Sequence, residues 1–398
     1  MHSNKYKAGA AVKVMAASWR DSTMARIADA VLANRPLGFA DGVYLYRRAA
    51  LDDVRTLAAY RKQTRHGDHV HYARSLRITV GHNRNRTPLL RRVQPPVASR
   101  TIDIDEMATP ADMERLLRSY VGVGLAGVTV STHAAAQGSL VPPATVSVDW
   151  WCALFKAIRH TLPHVRIKAC APTDIVNMAD CHGITLDATL SRLSGAGLGL
   201  LAGGGINGVS AAKDNGGNYD DLDGVKHALC EWIAVHRRAY DLGLDSDAIL
   251  DYDCTPACKQ RVLHLLAIRD FQQEALASGR PAFGRLSLVR RRVRSYRARG
   301  ASWDDDLRNY AVARLMAHNV EHIAVDPALD MDRAVCAIGY GADDLGGYAS
   351  AGAVDALVRR LYDIGAVPVQ HGRTDGPSKQ HQHPHDPLAD TMWPIVPS

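Results

Sequence analysis

From about Leu76 onward, short apolar runs alternate with longer stretches in which apolar residues recur every three or four positions. The short runs predict strands at Arg77–Val80, Gly127–Ser131, Val165–Cys170, Gly197–Ala202, Ala248–Tyr252, Ala282–Val289, Glu321–Val325 and Ala334–Ile338. Between them the 3.6-residue period predicts helices. One opens at Thr109-Pro110 and sets Met113, Leu116, Leu117 and Tyr120 on one face. Others cover Trp150–His160, Thr185–Leu193, Val225–Leu242, Lys259–Ala277, Asp304–His318 and Ala353–Leu361, with Ser302 and Asp304-Asp305-Asp306 suiting a helix N-terminus. Strands alternating with helices imply parallel pairing through right-handed crossovers. Eight such units over about 290 residues match a closed (β/α)8 TIM-type barrel better than an open doubly wound sheet.

The barrel is expected over residues 76–370. Residues 1–75 form an N-terminal helical extension, with helices near Thr23–Leu32 and Leu51–Gln63. Residues 371–398, with Gln380-His381-Gln382-His383-Pro384-His385, read as a flexible His/Pro-rich tail. A composition of 46% hydrophobic and 22% charged residues is globular. No stretch of about 18 apolar residues offers a membrane span, and no apolar run follows the three lysines of Met1–Lys13 to make an export signal. Seven scattered cysteines do not suggest a disulfide framework, so a reduced, cytoplasmic setting is expected.

The net charge of +7 is partly local, in Arg84, Arg86, Arg91 and Arg92 and again in Arg290, Arg291, Arg292, Arg294, Arg297 and Arg299. Either cluster is a solvated face or binds a small anionic ligand. With Tyr296 the only aromatic interleaved, the pattern argues against nucleic acid.

Barrel active sites collect at the C-terminal strand ends. Reading those ends gives His82, then Ser131-Thr132-His133, Lys168 with Cys170, Gly203-Gly204-Gly205, Asp251, and Asp343-Asp344 followed by Gly346-Gly347. Consecutive glycines let backbone approach a ligand and expose N–H donors, or simply make a tight turn. Asp343 and Asp344 suit acid/base work or a ribose hydroxyl, or else cap a turn. Lys168 on a buried strand must point into the barrel or be paired, because an unpaired buried ammonium is costly. His66, His69, His71 and His82 raise a metal reading, and His69 and His71 share one face, but no third ligand is fixed and exposed histidines are the plainer reading. Cys254 and Cys258 have the first spacing of an iron–sulfur loop, but the position three further on is Arg261.

Several longer motifs go together: Arg65-His66-Gly67-Asp68, Ile167-Lys168-Ala169, the glycine triple, His236 with Leu242-Gly243-Leu244, and His264-Leu265-Leu266 leading to Gln272. Ala311–Met316 with Asn319 and Ile323, Gly341-Ala342-Asp343-Asp344-Leu345-Gly346-Gly347 and Gly365-Ala366-Val367-Pro368-Val369 complete the set. In these the chain, from about Gly42 to Arg373, resembles the radical SAM enzymes of menaquinone and deazaflavin biosynthesis, most closely the aminofutalosine synthases. The resemblance implies a Cys-x3-Cys-x2-Cys loop after the first strand, holding three irons of a [4Fe–4S] cluster whose fourth iron binds S-adenosylmethionine (SAM). An ungapped alignment from Ile78 puts Arg84, Pro88 and Arg91 at those positions, and no cysteine precedes Cys152. Ser131-Thr132-His133 replaces the glycine pair expected to receive SAM's amino group.

The expectation is therefore a barrel without the cluster, repurposed for non-radical biosynthetic chemistry on a small anionic or nucleoside-like metabolite, with SAM or a related nucleoside still a candidate ligand. Lys168, Asp343 and Asp344 are its candidate catalytic residues. His82, Arg84, Arg91, His133, Gly203, Gly204, Gly205 and Asp251 are its candidate binding residues. The alternative is a non-catalytic partner of an active homologue, or of itself as an oligomer.

Overall fold

The computed structural model describes Trp19 and residues 21–80, 102–104, 110–132, 147–204, 222–252, 257–290, 303–325, 331–348 and 351–371. Among the described residues, three helices come first: α1 (Ser22–Leu32), α2 (Phe39–Arg47) and α3 (Leu51–His66). Strand β1 (His69–Val80) follows, then β2 (Ile102–Ile104), α4 (Pro110–Leu117), β3 (Gly127–Thr132), α5 (Val148–Thr161) and β4 (Arg166–Ala169). Two helices, α6 (Pro172–His182) and α7 (Leu186–Gly195), lead to β5 (Leu198–Leu201). The chain continues through α8 (Leu222–Asp241), β6 (Asp245–Tyr252), α9 (Cys258–Ala277), β7 (Phe283–Arg290), α10 (Trp303–Met316) and β8 (His322–Ala324). Last come α11 (Met331–Ile338), β9 (Asp344–Tyr348), α12 (Ala351–Asp363) and β10 (Val367–His371).

Every strand pairing is parallel, and β1, β3, β4, β5, β6, β7, β8 and β9 close into a TIM-type (β/α)8 barrel through the β9–β1 pairing. Strand β1 is long enough to carry two further neighbours. Its upper end (Ile78–Val80) also pairs with β2, and its lower end (His69–Ala73) with β10. The barrel wall thus starts at His69, ahead of the Arg77 start and the Leu76 boundary expected from the sequence.

Two apolar layers hold the helices to the outside of this wall. Helix α5 is representative: the Ser147 hydroxyl caps it by accepting from Trp150 N–H at 3.1 Å, and Trp151, Leu154, Phe155 and Ile158 recur at helical spacing on its buried face. That face joins Leu76, Val128, Ile167 and Leu201 in one cluster. The other cluster contains Val70, Leu250, Leu286, Leu288 and Leu345 from the wall, together with α1, α9 and α10. Helix α10 is buried on nearly every side, from Leu307 through Met316. The N-terminal helices complete its cover, as when Arg308 donates to Leu45 O and Ala49 O at 2.8 Å.

The run Ala334–Ile338, expected as the eighth strand, is instead helix α11, and the eighth barrel strand is Asp344–Tyr348. A five-residue apolar run does not reveal its period. Here Ala334, Ala337 and Ile338 are buried, which is helical spacing. The true strand was hidden by its two glycines, one of which the barrel requires: a Cβ on Gly347 would collide with Ser75 Oγ on β1.

One packed pair in the helical layer sets an acid limit on stability. His236 and His264 lie against Trp232, and none of His236 Nδ1, His236 Nε2 and His264 Nε2 has a hydrogen-bond partner among the described residues. Burial lowers both histidines to about 3. The unfolded chain therefore takes up two protons that the native state refuses as pH falls below 6.5. Each histidine steepens the loss of stability by up to about 1.4 kcal/mol per pH unit. Urea unfolding between pH 7 and pH 4 checks this: His236→Phe combined with His264→Leu flattens the acid limb relative to wild type.

Candidate functional site

Strand alternation sends Val70, Tyr72, Leu250, Leu286 and Leu288 outward into the helical layer. The intervening positions His71, Lys168, Asp247, Arg285, His322 and Asp344 accordingly face the barrel interior, so the lower half of this barrel is filled by charge. Lys168 Nζ donates to Asp247 Oδ2 at 2.5 Å. Arg285 lies between two carboxylates, with Nε 3.8 Å from Asp247 Oδ2 and Nη2 3.1 Å from Asp344 Oδ2. Asp344 also faces His371 Nε2 at 3.3 Å and accepts from Gly346 N–H at 2.8 Å. Burial lowers the Lys168 ammonium from its ordinary value against the opposing pull of Asp247. At Asp344 burial acts the other way, but Arg285 outweighs it and holds the carboxyl well below the usual range.

A second set lies beside this one. Asp343 Oδ1 accepts from Ile323 N–H at 2.9 Å and pairs with the fully buried Arg314. Its other oxygen faces His322 Nδ1 at 2.6 Å and His66 Nε2 at 3.4 Å. The rings of His66 and His322 stack at 5.3 Å, and His71 lies 4.6 Å from His322 and 4.7 Å from His371 between centroids. Burial pushes His66 down to about 4 and His71 to about 3. At His322 burial is overcome by the Asp343 carboxylate, and its value rises.

The sequence placed Lys168 inside the barrel or in a pair, and it is both. It placed Asp343 and Asp344 at a C-terminal strand end, and there the structure differs. Because the eighth strand is Asp344–Tyr348, these carboxylates open it and stand at the N-terminal end of the barrel. Asp251, second from the end of β6 and in register with Val289, stands toward the opposite, C-terminal mouth. Gly203 and Gly204 follow β5 at that same mouth. Packing accounts for glycine at both: a Cβ on Gly203 would strike Asp247 O and come within 2.7 Å of Ile249 N, and one on Gly204 would strike Ala171 Cβ. Beside them Cys170 holds the left-handed φ of +58° and is buried, which pushes its thiol well up. His82, Arg84, Arg91, His133 and Gly205 lie outside the described residues.

Sequence reading missed Asp247, Arg285 and His322. Their signal was a charged or titratable residue at an alternate position within an otherwise apolar strand. Their partners are far away in sequence, and only barrel closure brings them together.

No protein-family model matches the chain. Among curated proteins, the 5-amino-6-(D-ribitylamino)uracil–L-tyrosine 4-hydroxyphenyl transferase of Methanoculleus marisnigri is 30% identical over 212 residues, covering 50% of this chain and 54% of that protein. The match to the transferase of Archaeoglobus fulgidus covers 61% of that protein, so the chain spans little more than half the length of these relatives. Aminodeoxyfutalosine synthase of Thermus thermophilus is 25% identical over 360 residues, covering 89% of this chain and 90% of the synthase. Two solved structures share the fold. HydG, a maturase of the [FeFe]-hydrogenase, has a TM-score of 0.57 at 12% identity, covering 92% of this chain and 79% of HydG. Methylornithine synthase (PylB) has a TM-score of 0.51 at 14% identity, covering 86% of this chain and 97% of PylB. In sequence the chain is thus similar to aminodeoxyfutalosine synthase and to these transferases, the group that its motifs resemble, and in fold to HydG and PylB.

Proposed function

We propose that this barrel is a biosynthetic enzyme that works without the [4Fe–4S] cluster, carrying out polar chemistry on a small anionic or nucleoside-like metabolite. One observation carries the reading: no cysteine occurs between Met1 and Trp151, the part of the chain that contains β1 and the segment after it. Iron–sulfur clusters are held by thiolates, and the guanidinium of Arg84 or Arg91 offers only N–H donors. Among the described residues, no cysteine joins a close group of three or more ligand side chains. The residues present do not fit the cluster.

What the chain does offer is a lysine whose proton is held loosely by burial. The Lys168 side chain keeps 19% of its exposure, against 4% for Asp247, so a small ligand entering the mouth has access to the amine while Asp247 stays fixed behind it. Arg285 in turn holds Asp247 and Asp344. In this reading Lys168 passes a proton to or from the ligand, Asp247 orients it, and Asp343 and Asp344 serve as fixed counter-charges. Arg84 and Arg91 would grip a carboxylate or phosphate of the ligand in bidentate fashion, with His82, His133, Asp251 and the glycines 203–205 as further candidate contacts. SAM, as a nucleoside bearing a carboxylate, is the first ligand to try.

A second reading has its own support. Packing explains Gly203 and Gly204, and ion pairing explains Asp343 and Asp344, without any ligand, as expected of a non-catalytic partner of an active homologue.

Calorimetric titration of iron-free protein with SAM separates the two. The enzyme reading expects saturable binding that weakens at least about tenfold, or roughly 1.4 kcal/mol, in Lys168→Met. Absence of binding to wild type, or identical binding by Lys168→Met and Asp247→Asn, contradicts the role given to Lys168 and favours the partner reading.

A further inference from the structure

The histidines gathered around Asp343 at the N-terminal end of the barrel have an arrangement that its ion pair with Arg314 does not explain. His66 ends α3, His71 lies in β1, His322 opens β8, and Asp343 immediately precedes β9. One donor atom from each lies within 4.8 Å of the other three. Each is brought there by a different constraint. His71 faces inward by strand alternation, whereas His69 turns its Nδ1 to the carbonyl of His66 at 2.9 Å. His66 is carried in by the last turn of α3, and the closure of β9 against β1 puts Asp343 and Asp344 at the level of His71.

The surroundings prepare these groups for a ligand. Ile323 N–H and Arg314 occupy one oxygen of Asp343, so its other oxygen is directed at His322 and His66. Behind His66, the Glu321 carboxylate lies 3.9 Å from Nδ1, the kind of outer partner that fixes a ligating imidazole. His66 Nε2 donates to Glu321 O at 3.0 Å, a bond that ligation would exchange. The buried Nδ1 of His71 has no hydrogen-bond partner among the described residues. An orphaned imidazole nitrogen, on a ring close to a carboxylate and further imidazoles, can offer its lone pair to a metal ion.

We propose that His66, His71, His322 and Asp343 bind one divalent transition-metal ion of the zinc type. Three imidazole nitrogens and one carboxylate oxygen are borderline donors suited to such an ion. Four protein ligands make a closed, structural site, in which metal–nitrogen bonds of about 2.0–2.1 Å require the donors to draw together. The nearby ion pairs Arg314–Asp343 and Arg285–Asp344 leave the ion facing no uncompensated cation among these groups. The ion would clasp the N-terminal helices to β1, β8 and β9, at the end of the barrel away from Asp251 and Gly203. This inference does not depend on the chemistry proposed at the mouth.

The test uses the untagged full chain, stripped by chelator and titrated with Co²⁺ as the probe. In one set of preparations His381, His383 and His385 of the tail are replaced by Gln, so that the tail cannot contribute. The expected result is one Co²⁺ per chain with the intense visible bands of tetrahedral cobalt, abolished by one equivalent of Zn²⁺, together with a rise in melting temperature on adding Zn²⁺. Affinity falls on the order of 100-fold or more in His71→Gln and in His322→Gln, while His69→Gln binds as wild type. Wild-type protein that binds no Co²⁺, gives only weak octahedral bands, or loses binding with the tail substitutions overturns the proposal. So does a His71→Gln variant that keeps the bands.

Discussion

The burial of charge inside the barrel is the constraint from which the rest follows. Lys168, Asp247, Arg285 and Asp344 come from four strands, β4, β6, β7 and β9, and each side chain is satisfied only if all four strands sit in register. Removing one member would leave an uncompensated charge in a poorly solvated space, which typically costs about 3–5 kcal/mol. A network of this kind specifies the barrel more than it stabilises it, because a hydrophobic filling of the same volume would serve stability at least as well. The helical layer supplies the cohesive part. The outward-facing residues of the same strands enter two apolar clusters, and α10 is enclosed between the wall and the N-terminal helices.

Much of the order of strands and helices was legible because most elements announce themselves locally, although α2, α6, β2 and β10 went unread. The wall strands were read from short runs rich in Val, Ile and Leu, and α5 or α9 from helical spacing. The exceptions have physical causes. Ala334–Ile338 is too short to show a period, and Asp344–Tyr348 carries glycines that depress any strand signal while satisfying a close approach to Ser75. That one exchange moved Asp343 and Asp344 from the top of the barrel to the bottom. The His66–His71–His322–Asp343 group was illegible for another reason. Two of its members lie near the start of the chain and two near the end, and the sequence spacing of His69 and His71 pointed to a pair that the structure separates.

The relation to aminodeoxyfutalosine synthase extends over 89% of this chain, yet no cysteine precedes Cys152. The proposal that the chain works without a cluster rests on that absence of thiols from its first 151 residues. The buried charges run as one network from Asp344 at the N-terminal end to Lys168, so the framework and the proposed site share side chains. A barrel can keep its architecture while the chemistry at its mouth differs, and the proposed function is of that kind.

The central claim is that the chain no longer assembles an iron–sulfur cluster. The most direct measurement is the iron and acid-labile sulfide content of the full chain after anaerobic reconstitution with ferrous iron and sulfide, followed by desalting. The account predicts a colourless protein with neither iron nor sulfide in stoichiometric amount. A brown protein retaining about four irons and four sulfides per chain, reducible by dithionite, would contradict it.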